Sequence, residues 1–227
     1  MIIKENIKGI IFDMDGLMVD TEKLYLAALH EIAAGYNIKV IPEMAIIKMM
    51  GRSPLESMRI FKEEFLLAAT VEELLNQRET LMEQKLRSGV TPMKGLFEII
   101  DRFYGRLQLA VATSSNRCFL DIVVDSLGIR NKFAVLQASD GIGRGKPDPE
   151  IFMKTVTRLH LKPEDCIVLE DSVNGVRSGF NAGCYVIAVP QANTRNQDFS
   201  PAKYIAGDLI EAQAHILALI GEERIIH

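Results

Sequence analysis

The chain has 227 residues, of which 48% are hydrophobic and 25% are charged, so its composition is that of an ordinary globular protein. The length allows one large domain, or a core with a smaller second domain. The formal net charge is −4, and the sequence carries no basic cluster of the kind that binds a phosphate backbone. These values exclude nucleic acid as an expected partner.

Cysteine usage and the N-terminal sequence indicate the compartment. Cys118, Cys166 and Cys184 have neither the spacing nor the neighbouring histidines of a zinc site, so we expect reduced thiols in core or near-core positions. Reduced thiols are typical of the cytosol. The first six residues lack the apolar stretch of a signal peptide, and no apolar run approaches membrane-spanning length. The sequence therefore predicts a cytoplasmic protein with no membrane partner.

Short apolar runs that end abruptly alternate along the chain with longer segments of helical period. The runs predicted as strands are residues 9–12, 107–112, 133–137, 166–169 and 185–189, with a weak strand near 204. Helical period is found between the later runs, at residues 96–103, 119–127, 149–159 and 173–181. A repeated strand–helix–strand order implies right-handed crossovers and a parallel sheet covered on both faces. We therefore predict an α/β fold with a doubly wound, Rossmann-like parallel sheet.

The interval between the first and second predicted strands is about ninety residues, far longer than a simple crossover requires. A helix is predicted from Thr21 to about Gly35, and residues 53–56 and 70–73 have the sequence of capping boxes that begin two further helices. Apolar residues recur at helical spacing behind both boxes. We therefore predict a helical cap inserted at residues 21–87, with residues 1–20 and 88–227 forming the α/β core.

The first predicted strand ends in two carboxylates, Asp13 and Asp15, which are followed by Gly16. In extended geometry, residues two apart project from the same side of the chain. Like charges held this close repel each other unless they share a cation or a proton. An isolated Asp-x-Asp is more often a solvated loop or a helix cap, so the interpretation depends on the rest of the sequence.

Polar residues also follow the other inner strands. Residues 113–116, Thr-Ser-Ser-Asn, follow the second; Glu170 and Asp171 follow the fourth; and Lys146 precedes the helix predicted at 149–159. Because ligands of open parallel sheets bind beyond the carboxyl ends of the strands, we expect these groups in one crevice. Carboxylates without histidine or thiol are what Mg²⁺ prefers, and a hydroxyl, backbone amides and an ammonium suit a phosphoryl group.

Each of these residues has a structural explanation when it is taken alone. Lys146 could be a solvated surface lysine, and Thr113 could be an ordinary strand-end residue. Glu170 and Asp171 could cap the helix that follows them. Only the combination, in this order along the chain, favours a phosphoryl-transfer site.

Taken in chain order, these segments resemble the four motifs of the haloacid dehalogenase-like phosphohydrolases. The segments are Asp13-x-Asp15-Gly16 with Asp20-Thr21, Thr113 after a strand, Lys146-Pro147 before a helix, and Glu170-Asp171 after a strand. The helical insertion resembles the small α-helical cap of that superfamily. The resemblance covers nearly the whole chain. Within the superfamily, the chain is most similar to the β-phosphoglucomutase, pseudouridine-5′-phosphatase and 2-deoxyglucose-6-phosphatase types.

The resemblance implies a Mg²⁺-dependent phosphatase that acts through an aspartyl-phosphate. Asp13 would be the nucleophile, and Asp15 would be the general acid and then the general base. Mg²⁺ would bind the Asp13 carboxylate, the Asp15 backbone carbonyl and Asp171, with Glu170 as a ligand directly or through water. The superfamily's dehalogenases lack the second aspartate and need no metal, so Asp15 argues for phosphoryl transfer.

The resemblance also implies which residues meet the substrate. Thr113, Ser114 and Lys146 would hold the phosphoryl oxygens. On the cap, the candidates that face the leaving group are Glu22, Tyr25 and Arg52. The expected substrate is a small phosphomonoester, such as a sugar or nucleoside phosphate, and the expected state of the protein is a monomer.

Two other functions remain open. One is a sugar phosphomutase like β-phosphoglucomutase, and the other is a catalytically silent sugar-phosphate-binding protein. Mutases of that type resemble one another in placing a histidine where this chain has Tyr25, and an arginine where it has Pro54. A pure binder has no need of a nucleophile such as Asp13 beside its metal. The residues at positions 25 and 54 argue against the mutase, and the presence of Asp13 argues against the binding protein, so the phosphatase is favoured.

Overall fold

The computed structural model of the protein describes residues 6–49, 53–191 and 194–221. The chain divides into two compact units, one of Met1–Asp20 with Thr91–His227 and the other of Thr21–Val90. The described residues form nine α-helices: α1 (Glu22–Gly35), α2 (Glu43–Met49), α3 (Pro54–Glu64), α4 (Val71–Ser88), α5 (Leu96–Phe103), α6 (Arg117–Ser126), α7 (Glu150–Arg158), α8 (Val173–Asn181) and α9 (Leu209–Leu219). None of the helices within the described ranges combines the length and apolar character needed to cross a bilayer.

The first unit is built on a six-stranded sheet in which every neighbouring pair is parallel. Its strands are β1 (Gly9–Phe12), β2 (Gln108–Ala112), β3 (Val135–Gln137), β4 (Cys166–Glu170), β5 (Tyr185–Ala188) and β6 (Tyr204–Ile205). Their order across the sheet is β3-β2-β1-β4-β5-β6. The chain builds outward from β1 in one direction and from β4 in the other, which makes β1 and β4 the topological switch point of a doubly wound sheet. The predicted α/β fold is confirmed.

The strands form because short apolar runs can be buried on both faces of such a sheet. Ile10, Ile11 and Phe12 of β1 are completely buried, as are Ile167 and Val168 of β4. Burying each of these side chains stabilises the fold by about 1.5–3 kcal/mol. The two central strands therefore hold the residues that follow their carboxyl ends in fixed positions.

The cysteine prediction is right for two residues and wrong for the third. The three cysteines are not joined in disulfides, and Cys166 and Cys184 are buried in the core. Burial raises the pKa of each of these two thiols to about 12, so they stay protonated and unreactive. Cys118 is exposed, because it lies in the first turn of α6 on the side of the helix that faces away from the sheet.

The second unit contains helices α1 to α4 within its described residues, and α3 and α4 begin at the predicted capping residues. Thr70 accepts the backbone N–H of Glu73 at 3.1 Å while the Glu73 carboxylate accepts that of Thr70 at 2.7 Å, a complete capping box before α4. Ser53 accepts the backbone N–H of Glu56 at 3.2 Å before α3. Apolar residues spaced along the helices, including Phe61 of α3, pack into a separate core. This unit therefore has its own hydrophobic centre.

Two helices were not among the predicted elements. The short α2 lies in the second unit, and α9 packs against α5 in the first. The side chain of Asp208 caps α9 by accepting the backbone N–H of Glu211 at 2.9 Å. The predicted strand at 133–137 begins two residues late, at Val135, because a 3₁₀ turn at Arg130–Lys132 precedes it.

Candidate active site

The carboxyl end of β1 positions the two aspartates. The backbone N–H of Asp13 donates to the carbonyl of Leu169 at 3.0 Å, so pairing with β4 continues one residue beyond the strand and leaves Asp13 only 6% exposed. The chain then turns at Gly16, whose φ is +82° and where a Cβ atom would collide with the carboxylate of Asp171. Glycine is therefore required at position 16 both by the turn and by the neighbouring side chain.

Lys146 is the central cation of the site. Its Nζ lies 2.5 Å from Asp13 Oδ1, 2.6 Å from Glu170 Oε1 and 3.1 Å from the carbonyl of Ala112. These three acceptors use the three protons of the ammonium group. The Lys146 side chain is only 6% exposed. The lysine therefore ties the ends of β1, β2 and β4 together.

The loop that carries Lys146 is held by the start of α7. The Glu150 carboxylate accepts the backbone N–H groups of Gly143 and Arg144, each at 2.9 Å, and pairs with Lys154 at 2.6 Å. Hydrogen bonds from Lys154 and from these two backbone groups lower the pKa of Glu150 to about 2. The carboxylate is therefore ionised at neutral pH and fixes the loop.

Glu170, the last residue of β4, is almost fully buried and fully engaged. Its Oε2 accepts the backbone N–H of Ser172 at 3.0 Å and the Ser172 hydroxyl at 2.9 Å, while Oε1 accepts from Lys146. A Cβ atom at Gly175 would collide with this carboxylate, so α8 can approach only with glycine at that position. Glu170 thus orients Lys146 and also holds Ser172, the N-cap residue of α8.

The carboxylates of Asp13, Glu170 and Asp171 offer oxygen atoms that lie within 4.8 Å of one another. Three carboxylates surround one ammonium, so the pocket holds more negative charge than Lys146 balances. Burial is the largest cause that raises the pKa of both Asp13 and Asp171. The charge of Glu170 raises both pKa values further, and the charge of Lys146 opposes the rise in both. Burial would lower the pKa of Lys146, but Asp13 and Glu170 outweigh it and raise that pKa.

These shifts have a common origin, which is an excess of negative charge in a site with little water. The ammonium of Lys146 keeps its proton because Asp13 and Glu170 accept its hydrogen bonds, while Asp13 and Asp171 gain affinity for a proton because they are buried and because the charge of Glu170 repels theirs. A divalent cation would relieve the same repulsion. The donor set consists of oxygen atoms alone, so these residues fit a hard cation such as Mg²⁺.

The loop after β2 surrounds Asp15 with hydroxyl groups. Thr113 Oγ1 donates to Asp15 Oδ2 at 2.9 Å, and Ser115 Oγ donates to the same oxygen at 2.8 Å. The backbone N–H of Ser115 in turn donates to Thr113 Oγ1 at 3.0 Å. Asn116 ends the loop by accepting the backbone N–H of Phe119 at 3.0 Å, which begins α6.

The structure brings six of the residues singled out in the sequence to one edge of the sheet: Asp13, Asp15, Thr113, Lys146, Glu170 and Asp171. Ser114 is exposed beside Thr113. The sequence interpretation missed Ser115. The signal was present as a second serine in the run after β2, but spacing alone did not show which hydroxyl faces Asp15.

The candidates on the helical insertion belong to the second unit. Glu22 is exposed in the first turn of α1, and the ring of Tyr25 faces the guanidinium of Arg78 at 4.5 Å. Arg52 lies outside the described residues. A role in substrate recognition stays a prediction for all three candidates.

Comparisons with known proteins place this geometry in a family. The model of the haloacid dehalogenase-like hydrolase family matches residues 10–189, which include all six clustered residues. A phosphorylated carbohydrates phosphatase of Thermotoga maritima is 32% identical over 180 residues, covering 78% of this chain and 82% of that protein. A bifunctional riboflavin kinase/FMN phosphatase of Arabidopsis thaliana is 27% identical over 205 residues. That alignment covers 89% of this chain but only 53% of the larger protein, so the chain spans about half of its length.

Among solved structures, CbbY from Rhodobacter sphaeroides in complex with phosphate has the same fold. Its TM-score is 0.79 at 24% sequence identity, covering 90% of this chain and 96% of that one. The family model covers β1 to β5 with the loops at their carboxyl ends. The chain belongs to the haloacid dehalogenase-like hydrolase family.

Proposed function

We propose that the protein is a Mg²⁺-dependent phosphatase that hydrolyses a small phosphomonoester, a sugar or nucleoside phosphate, through an aspartyl-phosphate on Asp13. The observation that carries this proposal is the buried cluster in which Lys146 joins Asp13 to Glu170 beside Asp171. Relatives named as phosphatases of phosphorylated carbohydrates and of FMN support a phosphomonoester as the substrate class.

Asp13 supplies the nucleophile. One of its carboxylate oxygens attacks phosphorus, the bond from phosphorus to the alcohol oxygen breaks, and the phosphoryl group remains on Asp13. Lys146 fixes the orientation of the carboxylate through Oδ1 and offsets part of the charge that repels the incoming phosphate. Since the nucleophile is held on the rigid end of β1, little reorganisation is needed for attack.

Asp15 moves the protons. In the first step it donates a proton to the oxygen of the leaving alcohol; in the second it takes a proton from the water that attacks the phosphoryl group. Water attack releases inorganic phosphate and restores the Asp13 carboxylate. We assign the binding of the phosphoryl oxygens to Thr113 and Ser114, which follow β2, and to Lys146, which lies in the loop before α7.

The Asp13 carboxylate, the Asp15 backbone carbonyl and Asp171 would hold the cation. Bound there, Mg²⁺ supplies positive charge that offsets the carboxylates and the phosphoryl oxygens. Glu170 would bind the cation directly or through water. Both of its carboxylate oxygens already accept hydrogen bonds, one from Lys146 and the other from Ser172, which favours a contact through water. The helical insertion predicted at residues 21–87 is assigned the role of a cap.

The experiment is a substrate panel measured on the purified protein. Phosphorylated sugars, nucleotides and p-nitrophenyl phosphate are tested with Mg²⁺, with EDTA, and with Mg²⁺ restored. We expect release of inorganic phosphate that stops with EDTA and returns with Mg²⁺. Full activity in a metal-free preparation contradicts the proposal.

The same preparation separates hydrolysis from the two alternatives. Accumulation of glucose 6-phosphate from β-glucose 1-phosphate with catalytic glucose 1,6-bisphosphate indicates a mutase. Saturable binding of sugar phosphates without any turnover indicates a binding protein.

A further inference from the structure

A single carboxylate oxygen of Asp15 accepts two hydroxyl groups from one loop. Thr113 Oγ1 lies 2.9 Å and Ser115 Oγ 2.8 Å from Asp15 Oδ2. The backbone N–H of Ser115 donates to Thr113 Oγ1 at 3.0 Å, so the three groups form a closed ring of hydrogen bonds. The ring lies between the end of β1 and the end of β2, which are hydrogen-bonded neighbours in the sheet.

Two donors at Oδ2 fix the side chain of Asp15. The two hydroxyl hydrogens use both lone pairs of that oxygen. Hydrogen bonds to a carboxylate are also stronger and shorter than neutral ones, and two of them fix the plane of the carboxyl group. The ring therefore sets the orientation of the Asp15 carboxyl group.

The two hydroxyls are not equivalent during the reaction. Thr113 is completely buried and directly follows β2, with its backbone N–H bonded to the carbonyl of Gln137 at 3.0 Å. Its side chain is also assigned to the phosphoryl group. A hydroxyl group has one proton, so Thr113 cannot donate to a phosphoryl oxygen and to Asp15 at the same time.

We propose that Ser115 is the positioning residue for Asp15: it keeps its hydrogen bond to Oδ2 when the hydroxyl of Thr113 turns to the phosphoryl group. This inference rests on the proposed phosphatase function. It goes beyond that function because it assigns a role to a hydroxyl that the proposed mechanism does not use. Ser115 acts only through Asp15.

The proton movements balance with Ser115 unchanged throughout. The proton of Asp15 passes to the alcohol oxygen as the bond from that oxygen to phosphorus breaks and the bond from Asp13 to phosphorus forms. Asp15 is then an anion, with Oδ2 still bonded to Ser115. A water oxygen next attacks phosphorus, its proton returns to Asp15, and the bond from Asp13 to phosphorus breaks.

The test uses leaving groups that differ in their need for a proton. An alkyl alkoxide requires protonation as it departs, whereas p-nitrophenolate leaves as a stable anion. The kcat/KM value reports the first phosphoryl transfer only, so it isolates the acid role. Wild type and Ser115→Ala are compared on alkyl phosphates and on p-nitrophenyl phosphate. Ser126→Ala, at an exposed serine in the last turn of α6, is the matched control.

We expect Ser115→Ala to lower kcat/KM by about 10- to 100-fold for alkyl phosphates, the loss typical of one hydrogen bond to a charged group. For p-nitrophenyl phosphate the same variant should lose little. Ser115→Thr, which keeps a hydroxyl, should recover most of the loss, and Ser126→Ala should match wild type. Crystal structures of wild type and Ser115→Ala should show that the Asp15 carboxyl group has rotated in the variant.

Two results would overturn the role of Ser115 while leaving the phosphatase intact. One is an equal loss for both leaving groups, which indicates general damage to the site. The other is wild-type kinetics on every substrate together with an unmoved Asp15. If the wild-type protein hydrolyses no phosphomonoester with Mg²⁺, the proposed function fails and the inference falls with it.

Discussion

Two clusters in the first unit both combine carboxylates with basic side chains, but they differ in burial and in the balance of charge. The buried cluster consists of Asp13, Lys146, Glu170 and Asp171 at the carboxyl edge of the sheet. The surface cluster consists of Arg117, Asp121, Asp125 and Arg130 around α6. In the surface cluster two guanidinium groups face two carboxylates at 2.5–2.8 Å, and these side chains are 35–60% exposed. In the buried cluster one ammonium faces three carboxylates.

The pKa shifts record this difference. A hydrogen bond from Arg117 to Asp121, and one from Arg130 to Asp125, lower the pKa values of these carboxyl groups. Burial raises the pKa values of Asp13 and Asp171. Balanced pairs in water are satisfied and contribute little to stability, whereas an unbalanced buried set is unsatisfied until a proton or cation arrives. The imbalance, rather than the number of acidic residues, marks the functional site.

The largest expected effect is on catalysis. Asp13→Asn removes the nucleophile, so phosphatase activity should fall by at least about 1,000-fold. Asp125→Asn makes the same chemical change in the surface cluster and should leave the rate unchanged. Steady-state hydrolysis of p-nitrophenyl phosphate with Mg²⁺ measures both variants. Comparable losses in the two variants would end the distinction between the clusters.

The next effect is on stability in the absence of metal. Lys146→Met leaves the buried carboxylates of Asp13 and Glu170 without their ammonium and should lower the free energy of unfolding by about 3–5 kcal/mol. Arg130→Met removes a cation from the surface cluster and should cost much less, because its partners remain in water. Urea denaturation in EDTA compares the two, and a larger loss for Arg130→Met would contradict the account.

A smaller effect of opposite sign is expected at Asp171. Asp171→Asn removes one unbalanced carboxylate, so the metal-free variant should be more stable than wild type by about 1 kcal/mol. The same change removes a proposed ligand, so the rise in melting temperature on adding Mg²⁺ should shrink. Asp121→Asn in the surface cluster should instead lower stability slightly and keep the Mg²⁺ response. Thermal unfolding with EDTA and with Mg²⁺ checks both signs.

The smallest effect is on pH dependence. Asp13 and Asp171 have pKa values raised above the ordinary 3.8, so their contribution to stability is present below 3.8 and is lost as pH rises through the raised values. Asp121 and Asp125 have lowered pKa values, so their contribution is present above 3.8 and is lost as pH falls through the lowered values.

Acidifying the metal-free protein from neutral to about pH 5 should therefore recover stability at the buried cluster while the surface cluster stays ionised. Urea denaturation of wild type and Asp171→Asn at several pH values isolates this contribution. The wild-type curve should rise relative to that of the variant as pH falls. Parallel curves would contradict the raised pKa of Asp171.

Local sequence predicted the elements that form the site. Helix α8 has the predicted bounds, and β1 and β4 lie within one residue of theirs, because buried apolar runs that end at polar residues leave little choice. Apart from Lys146, each residue assigned to nucleophile, phosphoryl or metal chemistry lies at or just after the end of a strand; Lys146 reaches the end of β2 from the loop before α7. Such a site can be predicted from sequence because the ends of parallel strands bring residues that are far apart in sequence to the same edge of the sheet.

The failures have physical reasons. Helix α9 is apolar on several sides and has no single hydrophobic face, although Asp208 followed by Glu211 was a usable N-cap signal. Helix α2 has only seven residues, too few for a periodic pattern. Ser115 was missed because the path of the loop after β2, which no local pattern encodes, determines that this hydroxyl rather than that of Ser114 faces Asp15.

The most direct test of the central claim is to trap the phosphorylated enzyme. The protein is mixed with substrate and Mg²⁺, quenched in acid within milliseconds, digested and analysed by mass spectrometry. We expect one phosphoryl group on the peptide that contains Asp13, and none when Mg²⁺ is removed with EDTA or in Asp13→Asn. Turnover with no adduct on that peptide, or with the phosphoryl group on a different residue, would contradict the claim that the buried cluster makes Asp13 the nucleophile.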